Sequence, residues 1–412
     1  MLKFKWEIEF KDTEIGEVPK DWEVEKLGWA VKSLETGNRP KGGSLQHDPN
    51  GVLSIGGENI SWDGDLILDN CLRFAESFYN SLKKGKIKEK DILLVKDGAT
   101  IGKLAFIKNV PEGKAMVNEH VFLIRTNEEK YHSRFLFYFL FSNAGQTQIE
   151  SSIGGSAQGG INKGILETIK IPKFDLNEQS RIATVLSWFD DLIENKKRQN
   201  EILEKIAMAI FKSWFVNFEP FKDEKFVYNK KLGKEIPKGW EVKPIGEVVD
   251  ILYGRGLPES RRKNGSFPVV GSSGIVGYHA QFLATPPSIV VGRKGNVGSV
   301  YLMLEPFYPI DTVFYTGKTT PAKTFYIYHY LKLTPLAEIG MTDTAVPGIN
   351  INNLKAVKFP LPPQPILQRF HSLVEPLFQK IILNQKQIMI LRKIRDVLLP
   401  QLVFGKLRVE EV

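Results

Sequence analysis

Val18-Pro19-Lys20-Asp21-Trp22-Glu23-Val24 occurs a second time, slightly altered, as Ile236-Pro237-Lys238-Gly239-Trp240-Glu241-Val242. The two copies lie 218 residues apart, counted from Trp22 to Trp240. A second motif, Gly160-Ile161-Asn162, returns as Gly348-Ile349-Asn350, but only 188 residues later. Because the offset falls from 218 to 188, the second copy is about thirty residues shorter between the two motifs. The chain is therefore an internal repeat, in which a shared frame carries two inserts of unlike sequence.

A long amphipathic helix is predicted after each Gly-Ile-Asn motif. Asp175 and Glu178 have the spacing of a capping box, which marks a helix start in the first copy. Apolar residues then recur every seven positions, as is typical of a coiled coil. The two lines are Ile182, Phe189, Lys196, Leu203, Ile210 and Val185, Leu192, Gln199, Ile206 in the first copy, and Phe370, Leu377, Asn384, Leu391, Leu398 and Leu373, Lys380, Gln387, Ile394 in the second.

Polar residues interrupt both helices at corresponding places. These are Lys196 and Gln199 in the first helix, and Asn384 and Gln387 in the second. If the two helices pack antiparallel with their centres matched, the four side chains fall into one layer. Such a layer can fix the register of a coiled coil at a cost in stability. The alternative is a solvated notch with no role in register.

The two inserts are rich in glycine, β-branched and aromatic residues, which indicates β-rich or mixed domains. Residues 91–98 and 288–295 each look like a buried strand that runs into a tight turn, and residues 131–140 and 324–331 favour helices. The predicted fold is α+β, with two mixed, β-rich domains, an antiparallel two-helix coiled coil and a pseudo-two-fold repeat. The predicted segments are 1–174 and 219–362 for the domains, and 175–218 and 363–412 for the helices.

Composition limits the classes of function. The chain has 412 residues, 56 Lys and Arg against 47 Asp and Glu, and a net charge of +9, which suits a polyanionic partner. Cys71 is the single cysteine, so a disulfide framework and a cysteine zinc cluster are excluded. The first residues lack the apolar region of a secretion signal, and the apolar run 135–141 is far shorter than the roughly 20 residues of a membrane helix. We therefore expect a soluble, cytoplasmic protein without a membrane partner.

Catalytic and metal-binding motifs are not found. The sequence from Gly98 to Lys103 resembles a phosphate-binding loop, but it is one residue short and ends in Leu104 where Ser or Thr should bind magnesium. The six histidines have no metal-ligand spacing. We expect neither a catalytic residue nor a metal site in this chain.

The first pair of candidate DNA-binding segments follows the Trp motif in each copy. Arginine offers a planar fork that fits guanine O6 and N7, asparagine can contact adenine, and glycine allows close backbone approach. The alternative is a flexible, solvated loop. The candidate residues are Asn38, Arg39 and Lys41 in the first copy, and Arg255, Arg261, Arg262 and Lys263 in the second.

A second pair of candidate segments precedes the Gly-Ile-Asn motifs. Ser156 and Gln158, and Thr342 and Thr344, are small polar residues that can donate to phosphates or base edges. A mobile connector is the alternative.

Asn162 and Asn350 are better explained as helix caps than as ligands. The lysine-rich run 83–90 fits a solvated strand edge, and otherwise phosphate contacts.

Taken together, the doubled motifs resemble the specificity subunit of type I restriction–modification systems. The resemblance rests on the repeated Pro-Lys-x-Trp-Glu-Val, on the glycine turns at Gly98–Gly102 and Gly295–Gly298, and on the repeated Gly-Ile-Asn before a long helix. It covers essentially the whole chain. Glu178-Gln179-Ser180-Arg181-Ile182 matches the usual start of the family's helix, whereas Ile366-Leu367-Gln368-Arg369-Phe370 departs from it.

The resemblance implies a non-catalytic subunit that binds double-stranded DNA at a two-part target, with one half-site for each recognition domain and a spacer set by the coiled coil. It further implies two adenine-N6 methyltransferase subunits as partners and, in the complete assembly, two ATP-dependent translocating restriction subunits. S-adenosylmethionine, ATP and Mg would then be bound by the partners, and no cofactor by this chain.

Two alternatives to this function are considered. In the first, the chain is a coiled-coil protein-interaction scaffold with only non-specific affinity for DNA. In the second, it is a fused nuclease or methyltransferase that carries its own chemistry.

Overall fold

The structure is a computed structural model that describes residues 2–69, 71–153, 159–339 and 348–411. The chain forms two compact units. The first unit comprises Met1–Glu194 with Met389–Val412, and the second comprises Asn195–Ile388. The sequence-based boundaries at residues 174, 218 and 362 separate domains from helices, whereas the compact units divide the chain inside the two long helices.

Residues 2–173 alternate short strands with short helices. The strands are β1 (Leu2–Trp6), β2 (Phe10–Lys11), β3 (Val18–Pro19), β4 (Glu23–Lys26), β5 (Val31–Thr36), β6 (Val52–Ile55), β7 (Arg73–Phe74), β8 (Ile92–Val95), β9 (Leu104–Phe106), β10 (Ala115–Val117), β11 (Val121–Thr126) and β12 (Lys170–Lys173). The helices are α1 (Leu27–Ala30), α2 (Glu76–Ser81), α3 (Ser133–Phe141), α4 (Asn143–Ser151) and α5 (Lys163–Leu166).

The remaining residues begin and end with the two long helices, α6 (Leu176–Phe215) and α9 (Gln364–Val403). Between them lie β13 (Phe226–Asn229), β14 (Lys234–Pro237), β15 (Glu241–Pro244), β16 (Ile251–Tyr253), β17 (Phe267–Gly271), β18 (Gly274–His279), β19 (Ser288–Gly292), β20 (Val300–Met303), β21 (Tyr308–Pro309), β22 (Val313–Thr316), α7 (Pro321–Leu333), α8 (Ile351–Ala356) and β23 (Lys358–Leu361). Strand β24 (Leu407–Glu411) follows α9 and pairs with β1.

The first unit contains a four-stranded antiparallel sheet of order β5-β11-β8-β9 and a three-stranded sheet of order β10-β6-β7. Strand β8 is buried along its whole length, as predicted for a continuous apolar run. Ile92 and Leu94 pack into one apolar core together with helix α3, whereas Leu93 and Val95 pack into another. Both faces of β8 are therefore covered, because alternate side chains point to opposite faces of a strand.

The second unit repeats this arrangement. Its four-stranded sheet has the order β16-β22-β19-β20, and its three-stranded sheet the order β18-β17-β21. In both three-stranded sheets the central strand has one parallel and one antiparallel neighbour. Strand β19 is buried along its length, and helix α7 packs in the same core as Ile289 and Val291. The predicted α+β fold with an internal repeat is confirmed, as are the predicted helices at α3 and α7.

In each copy, the strand at the end of the Trp motif pairs with the strand that follows the Gly-Ile-Asn motif. In the first unit β4, from the Trp motif, lies antiparallel to β12, with Val24 opposite Pro172. In the second unit β15 pairs with β23, with Val242 opposite Pro360. Trp22 is fully buried, and its ring stacks on Phe174 with centroids 3.6 Å apart. The repeated residues thus form the two-stranded base from which each insert leaves and to which it returns.

The long helices run antiparallel within each unit. In the first unit Arg181 of α6 donates to the carbonyl of Val409, just beyond α9, and Asp190 pairs with Arg395. In the second unit Asn384 contacts Asn200, and the rings of Phe211 and Phe370 pack 5.8 Å apart. Residue numbers rise along one helix as they fall along the other, as predicted.

On each helix, one of the two lines of apolar residues spaced seven apart was predicted to pack against the other helix but is exposed along most of its length. Leu192 and Ile206 are 50% and 43% exposed, and Leu373 and Ile394 are 48% and 42% exposed. The buried line lies on a neighbouring side of each helix. It contains Leu186, Ile193 and Ala207 on α6, and Val374, Ile381, Ile388, Arg395 and Leu402 on α9. Apolar residues occupy both lines, so periodicity alone did not distinguish the packed line from the exposed one.

Candidate nucleic-acid interface

The turn after the buried central strand has the same construction in both units. Its first residue is Lys96 in the first unit and Arg293 in the second. The carbonyl of Lys96 accepts the N–H of Ile161 at 2.7 Å, and the carbonyl of Arg293 accepts the N–H of Ile349 at 3.1 Å. The repeated Gly-Ile-Asn motif is therefore fixed to the same turn in each unit.

A cation lies over an aromatic ring at this position in both units. The Lys96 ammonium lies 5.8 Å from the ring centroid of Phe122. The Arg293 guanidinium lies 5.4 Å from the centroid of Phe314 and 5.1 Å from that of Tyr253. The rings restrict each cation through cation–π attraction, while part of each side chain stays in contact with solvent.

The glycine-rich loop after the Trp motif passes close to the same turn. A Cβ atom at Gly37 would lie 1.5 Å from the carbonyl oxygen of Val117, and one at Gly254 would lie 1.9 Å from that of Ile310. Only glycine fits at these two positions. We call residues 37–43, 96–102, 118–120 and 159–162 the first turn surface, and residues 254–263, 293–298, 310–312 and 348–350 the second turn surface.

Five polar side chains form a network on the first turn surface. Glu119 Oε1 lies 3.2 Å from Arg39 Nε and 3.3 Å from His120 Nε2. Asp97 then contacts His120 Nδ1 at 2.5 Å and Lys96 Nζ at 2.6 Å. Partial burial acts to raise the pKa of Asp97, but the hydrogen bonds from Lys96 and His120 outweigh it and hold that pKa below its ordinary value. The carboxylate is therefore charged at neutral pH.

The predicted residues of the first loop lie beside the lysine-rich run. Asn38 and Lys41 are exposed and Arg39 is half-buried. Asn38 and Arg39 line a hollow of about 700 Å³ together with Lys83, Lys84 and Glu119. Three regions that are distant in sequence thus meet at one surface. The sequence analysis did not place Lys83, Lys84, Lys96, Glu119 or His120 at this surface, because strand pairing brings them there and no local pattern records it.

The predicted residues of the second loop differ in environment. Arg255, Arg261 and Lys263 are exposed. Arg262 is half-buried, and its Nη1 donates to the carbonyl of Val276 at 2.7 Å, so it ties the loop to β18. Sequence position alone did not distinguish Arg262 from its exposed neighbours.

Most of the second pair of predicted segments lies outside the described residues. Ser156, Gln158, Thr342 and Thr344 lie outside the described residues. Asn162 accepts from the N–H of Gly164 at 2.8 Å, and Asn350 accepts from the N–H of Asn352 at 2.8 Å. The expectation that both asparagines cap helices is confirmed.

Comparison with known proteins identifies the family. A family model described as the type I restriction modification DNA specificity domain matches residues 19–205 and again residues 237–391. The chain belongs to the type I restriction–modification specificity subunits. The two matches begin one residue after Val18 and Ile236, so each covers one copy of the repeat. Sequence-specific recognition of DNA is the role of this family's domain, and the scaffold alternative is not favoured.

Individual relatives agree with this assignment. The type I restriction enzyme MjaIX specificity subunit of Methanocaldococcus jannaschii is 36% identical over 451 aligned residues, which cover 100% of this chain and 99% of that protein. The putative MjaX specificity subunit of the same organism is 27% identical over 432 residues, with 100% and 99% coverage. The crystal structure of an S subunit from M. genitalium has a TM-score of 0.54 at 20% identity and covers 92% of this chain and 96% of that chain, which supports the shared fold.

The helices of this specificity subunit contain part of the predicted polar layer. Asn384 is fully buried, and its Nδ2 donates to Gln199 Oε1 at 3.3 Å and to Asn200 Oδ1 at 2.9 Å. Lys196 and Gln387, the two other residues predicted for this layer, are half-buried. In the described part of the chain, neither of them forms a hydrogen bond with Asn384. Asn200 was missed because it continues the Leu186–Ile193 line, which the sequence analysis did not select.

The described residues of the specificity subunit contain neither a metal-ligand cluster nor a membrane-spanning helix. Among residues 2–69, 71–153, 159–339 and 348–411, no group of three or more His, Cys, Asp or Glu side chains is arranged to hold a metal ion. Within the same residues, no helix has the length and apolar character needed to span a membrane.

Proposed function

We propose that this specificity subunit binds a two-part DNA target, and that each recognition domain contacts one half-site through its turn surface. The repetition of the turn surface supports the proposal. Both units present a glycine loop, a cation over an aromatic ring and a fixed Gly-Ile-Asn motif on the same backbone frame, yet the exposed side chains differ. A common frame with unlike side chains suits recognition of two unlike sequences.

The charges of the turn surfaces suit a DNA partner. Lys41, Lys83 and Lys84 are exposed around the first surface, and Arg255, Arg261 and Lys263 around the second. Such groups bind phosphates and position a protein on DNA without selecting sequence. Selection then depends on side chains that reach base edges, where each good contact discriminates by about 1–3 kcal/mol.

We further propose that the chain is non-catalytic and acts through partners. Two adenine-N6 methyltransferase subunits would bind S-adenosylmethionine, and two restriction subunits in the complete assembly would bind ATP and Mg. Exposed apolar side chains on the long helices support protein partners, because contiguous exposed apolar surface is typical of interaction sites. They are Trp188, Leu192, Ile390, Ile394 and Val397 in the first unit, and Ile202, Ile206, Leu373 and Leu383 in the second.

Mapping of methylated adenines tests this function. The chain is expressed together with its methyltransferase subunit in cells that lack other adenine methylation, and methylated sites are identified across the genome. The expected result is one motif with two specified parts and a gap of fixed length. Methylation without such a motif would contradict the proposal, as would methylation by the purified chain alone.

A further inference from the structure

We infer that Arg39 contacts a guanine of the first half-site through its two terminal nitrogens, and that Glu119 positions the guanidinium for this contact. The inference rests on the proposed function and assigns a specificity-determining residue within it. Four observations support it: the way Arg39 is held, the nitrogens that remain free, the fixed backbone beneath it and the neighbouring lysines.

Arg39 is held by one edge only. Its Nε lies 3.2 Å from Glu119 Oε1, and within the part of the chain that the structure describes Nη1 and Nη2 have no hydrogen-bond partner. The guanidinium is planar, so the ion pair at Nε restricts the direction in which the Nη1–Nη2 edge points. That edge has the spacing to donate two parallel bonds to guanine O6 and N7. A free arginine loses rotamer entropy on binding, and a held arginine has lost part of it already.

Glu119 is itself held. His120 Nε2 lies 3.3 Å from the same oxygen, and the imidazole is fixed on its other side by Asp97 at 2.5 Å. The second carboxylate oxygen, Oε2, is buried and has no partner among the described residues. The Glu119 side chain is 41% exposed, and it restrains Arg39 through the one oxygen, Oε1, that contacts both Arg39 and His120.

The backbone on either side of Arg39 is also constrained. Gly37 packs against the carbonyl of Val117 and donates its N–H to the carbonyl of Asn118 at 3.2 Å. Pro40 follows Arg39 directly and fixes its own φ. The backbone of the loop that carries Arg39 is therefore constrained, while the Arg39 side chain remains 32% exposed. This combination of partial exposure and fixed direction suits base contact.

The lysines around the hollow differ from Arg39 in the geometry of their charged groups. Lys83 and Lys84 are exposed ammonium groups on flexible side chains, without the fork geometry of arginine. They suit phosphate contacts that add affinity without sequence information. Arg39 and the two lysines share one hollow, so the same experiment can separate base contact from phosphate contact.

The test compares R39K, E119Q and the double variant K83A/K84A with the wild type, each expressed with the methyltransferase and analysed by methylated-adenine mapping. We expect R39K to lose preference for guanine at one position of one half-site, by about 5- to 150-fold. E119Q should weaken the same preference at the same position. K83A/K84A should keep every preference, while its DNA affinity falls and the slope of log affinity against log salt decreases by about 2.

The unaltered half-site serves as the internal control for folding, because a misfolded chain would lose both halves of the motif. A wild-type two-part motif with R39K unchanged at every position would overturn the inference and leave the proposed function standing. R39K relaxed with E119Q unchanged would overturn the positioning role of Glu119. A wild type without a two-part motif would overturn the proposed function and this inference with it.

Discussion

Asp190 of α6 and Arg395 of α9 form a buried ion pair, with Oδ1 and Nη1 3.0 Å apart. The offset of 188 residues places Phe378 at the position equivalent to Asp190 and Ala207 at the position equivalent to Arg395. Both of these residues are buried in the second unit. The same packing position is thus ionic in one unit and apolar in the other.

The first prediction concerns this pair. Asp190 also accepts from the hydroxyl of Tyr138 and lies 3.7 Å from Arg134. D190A removes the acceptor of the buried Tyr138 hydroxyl, whereas Arg395 keeps Asp396 and Arg134 keeps Asp191. We expect D190A to lower the free energy of unfolding by about 1–3 kcal/mol, measured by urea denaturation of the full chain. D190F combined with R395A copies the apolar pair of the second unit and should recover much of the loss.

The control for this experiment is the exposed pair of Lys173 and Glu23. E23Q should leave the free energy of unfolding close to that of the wild type, because exposed ion pairs contribute little. A D190A variant as stable as E23Q would contradict the structural role of Asp190.

The second prediction concerns acid stability of the second unit. His329 is buried among Phe211, Phe370 and Phe378, and burial lowers its pKa from 6.5 to about 4. Between these values the unfolded chain takes up a proton that the folded chain does not, so stability is complete above pH 6.5 and falls as the pH decreases toward 4. The loss from this group reaches up to about 3 kcal/mol.

Hydrogen exchange of α7 measured by mass spectrometry between pH 7 and pH 4.5 checks this expectation, after correction for the intrinsic effect of pH. Protection of α7 should decrease in the wild type and change less in H329L, which cannot titrate. An equal loss of protection in both proteins would show that another group is responsible.

The repeat frame could be predicted from sequence because the Trp and Gly-Ile-Asn motifs recur in the same order in each copy, and the strands next to them pair with each other. The turn surfaces could not be predicted in full. Arg39, Lys83 and Glu119 are far apart in the chain, and only the pairing of sheet strands brings them together. The packed side of the long helices was also not decided by sequence, because apolar residues lie both on the buried line of Ile193 and on the exposed line of Leu192.

The third prediction concerns Asn384. A buried amide that bonds to Gln199 and Asn200 costs stability but disfavours other registers. We expect N384L to raise the free energy of unfolding by about 1 kcal/mol and to broaden the gap of the methylated motif from one length to several. Q387L is the matched control, since Gln387 lies on the same helix without a bond to Asn384, and its gap should remain fixed. A single gap length in N384L would show that Asn384 does not set the register of the helices.

The fourth prediction concerns protein partners. Ile390 and Ile394 lie one turn apart on α9 and are 56% and 42% exposed in the first unit. The double variant I390D/I394D should fold normally and lose co-purification with the methyltransferase subunit, because burial of two carboxylates in an interface is strongly unfavourable. K393D introduces a carboxylate at an exposed site between them and should still co-purify. If I390D/I394D co-purified with the methyltransferase subunit as well as K393D does, the surface formed by Ile390 and Ile394 would not be the contact.

The fifth prediction concerns the gap between the half-sites. If the long helices set the gap, one added heptad in each of α6 and α9 extends the pair by about 10 Å, since each helical residue adds about 1.5 Å. At roughly 3.4 Å per base pair the gap of the methylated motif should grow by about three base pairs, while both half-sites keep their sequences. The insertion must be made in both helices, because a heptad in one alone would shift Asn384 away from Asn200 and expose the buried line. A paired insertion that methylates the original motif with the original gap would show that the helices do not determine the distance.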